Sequence, residues 1–276
     1  MIKIVADSSL DTRPQDEAHL PVIKAPFSVI FDQGTIVDTR DVDLKHFTKT
    51  MQSSTKFQSA CPSPNDFLEA FRGPDDVFCI TITSKLSGSH NAAELAKKLA
   101  EEEGENQGEI VVIDSKSASP GPYLIYRRIS ELIDQGLSFA EIKEKIKHYE
   151  DTLATMFISK SLENLRKAGR LSNIKAMIVK ALNIVPIMGA TDGVIEMVDK
   201  ARGERKAFDM LLDKMEEKSG DLAGKIVAIS QADNESKALE LKKAIEARFQ
   251  AREVVVLKMG ALNTLYADHE GIIISF

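Results

Sequence analysis

The stretch from Val77 to Glu103, VFCITITSKLSGSHNAAELAKKLAEEE, constrains the fold of this chain more than any other. Val77 to Ile82 is a short apolar run rich in β-branched residues, as expected for a strand buried on both faces. Leu86-Ser87-Gly88-Ser89 then makes a small-residue turn, and Ala92, Leu95, Ala96 and Leu99 recur as one face of a helix. Strand, tight turn and helix are half of a βαβ unit, which calls for a parallel sheet with helices on both faces.

Such a turn sets the carboxyl end of a central strand against the first N–H groups of a helix, which have no partner inside the helix. The corner suits an anion. Ser87 is placed to cap the helix, and Gly88, without a Cβ, lets a ligand approach the backbone. Ordinary helix capping is the commoner role of such a Ser-Gly start, so the corner alone does not establish an anion site.

The rest of the chain extends the pattern. Ile2 to Ala6 is a strand ending in Asp7-Ser8-Ser9, and Glu109 to Ile113 a strand ending in Asp114-Ser115. In open α/β sheets ligands bind at that end of the strands. Val22 to Val37 reads as short strands broken by Pro26 and a hairpin at Asp32-Gln33-Gly34, followed by a helix from Asp43 to Met51. Ser63, Pro64 and Asp66 open a helix running to Phe71, which leaves Gln58 to Pro62 as an extended loop. Gly121 to Gln135 is helical, and Ser138 with Glu141 forms a capping box for a helix to His148.

Beyond residue 150 the pattern changes. Leu153 to Ile158 is a strand, Ser161 to Lys167 a short helix, and Gly169-Arg170-Leu171-Ser172 a turn into a helix from Asn173 to Leu182. Ile184 to Gly189 and Val194 to Val198 flank Thr191-Asp192-Gly193, an antiparallel hairpin signature. Helices over Gly203 to Lys218 and Glu235 to Gln250 alternate with strands at Lys225 to Ser230 and Glu253 to Lys258, and Ile272 to Phe276 closes the chain. The expected fold is α/β in two domains. Residues 1–150 form a mostly parallel three-layer α/β/α domain, and 151–276 an α+β domain with a mixed or antiparallel sheet.

Composition excludes several functions. A net charge of -6 over 276 residues argues against binding nucleic acid by broad charge neutralisation. The opening MIKIVADSS is already strand and loop, and the longest apolar stretch, Ala176 to Met188, is broken by Lys180, Asn183 and Pro186. The expectation is a cytoplasmic protein without an integral membrane segment. Cys61 and Cys79 lack CxxC spacing, and Cys79 reads as a buried small hydrophobe. The five histidines are scattered, without metal-ligand spacing, so no metal and no cofactor is expected. There is no GxSxG elbow, Walker A motif or GxGxxG. Ser89 and His90 are adjacent and point apart on a helix, a poor catalytic pair. Seven of the nine methionines lie beyond residue 150, consistent with core filling or with a cavity that accepts a flexible guest.

Asp7-Ser8, Ser59 to Pro64, Leu86-Ser87-Gly88-Ser89, Asp114-Ser115, Leu162 to Arg170, and Val185-Pro186-Ile187 before Asp192-Gly193 occur in an order that resembles the DegV family over essentially the whole chain. The resemblance implies a two-domain α/β protein that binds one long-chain fatty acid, in several members as the carrier subunit of a bacterial fatty acid kinase. It implies a non-catalytic chain whose partners are a long-chain fatty acid and a fatty acid kinase catalytic subunit. Ser59 takes the place of the family's carboxylate-binding threonine, and Ser87, followed by Gly88, matches the second carboxylate-binding serine. His269, in His269-Glu270-Gly271, resembles a C-terminal His-x-Gly segment beside the carboxylate. Arg170 and Arg202 match positions near the head group or the partner surface. The chain departs from the family at Ala60 and Cys61, at Val185 in place of a lysine, and at Ile272, where Pro-Gly is usual. The alternative function is a serine-dependent enzyme acting on a small carboxylate or phosphate ester through Ser87 or Ser89.

Overall fold

The computed structural model describes residues 1–104, 107–171 and 183–276. In chain order the first half contains β1 (Ile2–Asp7), α1 (Pro14–His19), β2 (Val22–Ala25), β3 (Ser28–Phe31), β4 (Gly34–Val37) and α2 (Leu44–Ser53). It continues with β5 (Phe57–Ala60), α3 (Pro64–Phe71), β6 (Asp76–Thr81), α4 (Ser89–Glu103), β7 (Ile110–Asp114), α5 (Pro120–Asp134) and α6 (Phe139–Glu150). The second half contains β8 (Thr155–Ile158), α7 (Glu163–Lys167), β9 (Ile184–Thr191), β10 (Val194–Arg202) and α8 (Glu204–Ser219). After these come β11 (Ile226–Gln231), α9 (Glu235–Arg248), β12 (Glu253–Lys258), α10 (Ala261–Ala267) and β13 (Ile272–Ser275).

Strand alternation explains the layers. In the parallel four-stranded sheet, ordered β2-β1-β6-β7, Ile4, Phe78 and Ile80 face α5 and α6, where Tyr123, Leu124, Ile129 and Ile142 are buried. Val5, Val77 and Cys79 point the other way, against Phe67, Phe71, Ala93 and Ala96 of α3 and α4. This is the expected α/β/α arrangement. The six-stranded sheet, ordered β10-β9-β8-β13-β11-β12, is antiparallel except between β11 and β12. Val227, Ile229 and Val254 pack under α8 and α9, while Ile226, Ala228, Val255 and Leu257 join the same core as Ile4 and Phe78. One helical layer thus serves both sheets, and a single continuous core ties the two halves.

A small antiparallel sheet, β4-β3-β5, stands apart. Val29, Phe31, Phe47, Ala261 and Leu265 form its core, so α2 and α10 pack on it. Here the structure departs from the sequence reading. Gln58 to Ala60, expected in the loop Gln58 to Pro62, belong to β5, paired with β3 in the register Val29↔Ser59. Their small polar side chains do not signal a strand; the partner strand, remote in sequence, makes one. The helices α1 and α10 were not expected at all. The expected helix from Asn173 to Leu182 lies outside the described residues.

Candidate functional site

The organising turn is built around a buried carboxylate. Asp7, at the end of β1, accepts hydrogen bonds from the Ile82 N–H (2.9 Å) and the Ser89 hydroxyl (2.6 Å) on one oxygen and from the Ser9 N–H (3.1 Å) on the other. Burial raises its pKa against the lowering effect of these bonds. It ties the end of β6 to the start of α4. Ser89 is fully buried and committed to Asp7, and His90 Nδ1 lies 3.2 Å from the Thr81 hydroxyl, so the two form no catalytic pair. The residue that caps α4 is Gly88, not Ser87, and the Ser87 Oγ takes the Ser89 N–H at 3.2 Å from one position further out. Among the described residues no group takes the proton of Ser87 itself, and no histidine or carboxylate bonds to it.

Beside this turn lies a cavity of about 160 Å³ between the two halves of the chain. Its walls are mainly apolar: Phe27, Ile82, Phe157, Leu165, Ile195, Leu262 and Ile273. Ser59, Ser87, Gly88, Cys61, Arg170 and Tyr266 also line it, and Ser87, Gly88 and Arg170 continue into a polar surface groove with Lys85 and Asn91. No carboxylate lines the cavity among the described residues; of its two cations, Lys116 gives its ammonium to Asp151, while Arg170 bonds only to carbonyl oxygens. An anion is therefore favoured over a cation.

The structure brings Ser59, Ser87, Gly88 and Arg170 together. Register explains Ser59: in β5 Phe57 and Ser59 turn inward while Gln58 and Ala60 are exposed. The Ser59 Oγ lies 2.6 Å from the Tyr266 hydroxyl. Two hydroxyls carry two protons, and one bond between them uses one, which leaves the other for a ligand acceptor. Arg170 is held by the carbonyl oxygens of Leu86, at 3.1 Å from its Nε, and Ala168. A Cβ on Gly88 would sit 3.6 Å from the Cys61 Sγ, so Cys61 covers the Gly88 backbone from across the opening.

Two expected residues lie elsewhere. His269 does not line the cavity; it is half-buried, with Nε2 3.6 Å from Asp233 Oδ2. The turn Asp268-His269-Glu270 has positive φ at Asp268 and Glu270, which carries the imidazole away from α10. Arg202 is exposed at the far end of β10, eight residues from Val194 and hence roughly 26 Å along the strand from the cavity mouth. Tyr266 was missed: α10 is seven residues long, with no side-chain cap to announce it. Nor do the methionines line the cavity among the described residues; Met156, Met188, Met215 and Met259 are buried in the cores.

Among the described residues no three His, Cys, Asp or Glu side chains group as metal ligands, and no helix is long and apolar enough to cross a membrane.

A profile of the DegV family, described as uncharacterised, matches residues 1–275. A DegV domain-containing protein of Streptococcus pneumoniae is 35% identical over 278 residues, covering 99% of this chain and 98% of that protein. A crystal structure of a DegV family protein from Ruminococcus gnavus with vaccenic acid superposes with a TM-score of 0.95 at 31% identity, covering 100% and 99% of the two chains. The Streptococcus pneumoniae fatty acid kinase B3 protein, loaded with linoleic acid, superposes with a TM-score of 0.91 at 34% identity over 100% and 99%.

Proposed function

This chain belongs to the DegV family, and on that premise we propose that it binds a single long-chain fatty acid and presents the carboxylate to a partner kinase. The observation that carries the proposal is the cavity: an apolar chamber with free hydroxyl protons from Ser87 and the Ser59–Tyr266 pair, and no competing carboxylate among the described residues. The neighbours solved with vaccenic and linoleic acids support the ligand class. The carboxylate then receives the Ser87 proton and one from the Ser59–Tyr266 pair, beside the Gly88 backbone. Each such charge-assisted bond contributes about 1.5–3 kcal/mol. The tail gains about 0.8 kcal/mol per buried methylene before the costs of association. The tail supplies the larger share of affinity, and the donors add to it and set orientation.

The chain supplies no step of phosphoryl transfer in this reading. The nearby fatty acid kinase B3 protein supports a kinase catalytic subunit as partner, working where ATP is available, in the cytoplasm. Arg170 lies beside the opening with exposed Arg166 and Lys167, and steers the partner; Arg202, at the distant end of β10, belongs to the partner surface and not to the head group. Residues 1–150 carry Ser59, Ser87 and Gly88, and 151–276 contribute Phe157, Leu165, Ile195, Leu262 and Ile273 to the tail wall, and Tyr266.

The test is native mass spectrometry of the purified chain, followed by identification of any released molecule. One stoichiometric fatty acid is expected. A chain that stays empty after incubation with saturated and unsaturated C16 and C18 acids overturns the reading.

A further inference from the structure

Two buried carboxylates, outside the cavity and not used above, converge on the start of α10. Asp38, just past β4, accepts the Ala261 N–H at 2.8 Å on one oxygen, and the Leu262 N–H at 3.2 Å and the Ser8 hydroxyl at 2.9 Å on the other. Asp11 accepts the Gly260 N–H at 2.8 Å, the Asn263 amide at 2.9 Å and the Ser119 hydroxyl. Each of their four oxygens accepts at least one protein donor, so both carboxylates are built into the fold. They occupy the first N–H groups of a helix that is too short to be stable alone, where a negative charge complements the helix dipole.

The direction in which α10 points from that anchor is set by its other contacts. Ala261 and Leu265 pack into the core of the small sheet, while Leu262, Asn263, Tyr266 and Ala267 line the cavity. The last turn of α10 carries the hydroxyl that meets Ser59, and the Tyr266 ring meets Phe57 edge-on at 6.4 Å. Asp38 also fixes the cavity wall at its other side, because the Ser8 hydroxyl that it holds accepts the Phe27 N–H at 3.0 Å, and Phe27 lines the cavity.

We propose that Asp38, with Asp11 beside it, is a positioning residue: it fixes α10 so that the Tyr266 hydroxyl stands against Ser59 and the pair directs one proton to the fatty acid carboxylate. The inference rests on the fatty-acid reading above and adds to it the part of the chain that sets head-group geometry. Asp38 never touches the ligand. Its replacement acts on the acid through Tyr266, and it acts weakly on a ligand of equal tail that lacks the charge.

The experiment compares binding of a C18 fatty acid and the C18 fatty alcohol to the full chain and to Asp38→Asn, Tyr266→Phe and the double variant, with tyrosine Cζ labelled for NMR. The chain has four tyrosines, so Tyr266 is resolved from Tyr123, Tyr126 and Tyr149. The expected result is about a fivefold loss of acid affinity in each single variant, the equivalent of one ordinary hydrogen bond, with the alcohol changed by less than about twofold. The double variant loses little beyond Tyr266→Phe, and the Tyr266 Cζ signal moves in Asp38→Asn while the other three stay. Equal losses for acid and alcohol, full additivity in the double variant, or an unmoved Tyr266 signal overturns the inference. Should Asp38→Asn not fold, Ala261→Pro removes one N–H that Asp38 binds, at a first helical position where proline is accommodated, and the same selective loss is expected. Failure of the wild-type chain to bind any acid refutes the fatty-acid reading itself; binding by wild type with equal losses refutes only the role of Asp38.

Discussion

The Ser59–Tyr266 pair makes a quantitative prediction, because the two hydroxyls share one proton between them at 2.6 Å and offer one outward. Removing either hydroxyl leaves the other with its proton free to turn toward the carboxylate. Ser59→Ala and Tyr266→Phe, each alone, therefore lose the polarising internal bond but not the contact with the ligand. That costs about 1 kcal/mol, or about fivefold in Kd. The double variant leaves no donor at that side of the carboxylate and loses a charge-assisted bond as well, for a total of about 3 kcal/mol or more, over about a hundredfold. The cost in the pair is thus larger than the sum of the single costs. Titration calorimetry of the four proteins with a C18 acid measures this, with unfolding midpoints as a control for the core around Phe57. If Tyr266→Phe alone costs as much as the double variant, the shared-proton argument is wrong and Tyr266 is the sole donor.

Further outcomes follow from the same geometry. Ser87→Ala is expected to weaken acid binding by about tenfold to a hundredfold while leaving the tail's contribution intact, and to reduce acyl phosphate formation further, read by trapping with hydroxylamine alongside the kinase. His269→Ala should leave acid affinity within about twofold, since only its contact with Asp233 is lost. Gly193 has φ +77°, and a Cβ there would sit 2.0 Å from the Thr83 hydroxyl oxygen, so Gly193→Ala should destabilise the chain by about 1–3 kcal/mol in thermal unfolding and speed fatty acid release by loosening the β9–β10 hairpin from Thr83. Asp11 is pushed up from 3.8 to about 7, by burial first and also by Asp38, against the lowering effects of Ser119, the Gly260 N–H and Lys24. The folded chain then holds a proton that the unfolded chain has released between pH of about 4 and about 7, so this group's contribution to stability falls as pH rises through that window; Asp11→Asn should flatten the slope in denaturant titrations at several pH values.

The sequence by itself determined much of the fold. Val77 to Glu103, with Ile2 to Ala6 and Glu109 to Ile113, carries its own periodicities, and these dictate a parallel sheet because a strand buried on both faces needs helices on each. Capping residues Asp43, Ser63 and Ser138 mark helix starts through bonds made within a few residues, and the hairpin at Thr191-Asp192-Gly193 is equally local. Ser87 and Gly88, read from the turn itself, and Ser59 and Arg170, named from the resemblance, are gathered at one cavity.

What sequence could not give was decided by contacts between remote residues. β5 exists because β3 offers it a partner, and that pairing, not composition, turns Ser59 inward. The helix α10 is too short to announce itself and is held by Asp11 and Asp38, more than 200 positions away. Tyr266 consequently faces Ser59, while His269, three residues on and the more conspicuous side chain, is turned toward Asp233. Local patterns encode bonds within a turn of chain; the proton donors of this site depend on where a short helix is pinned, and only the assembled core supplies the pins.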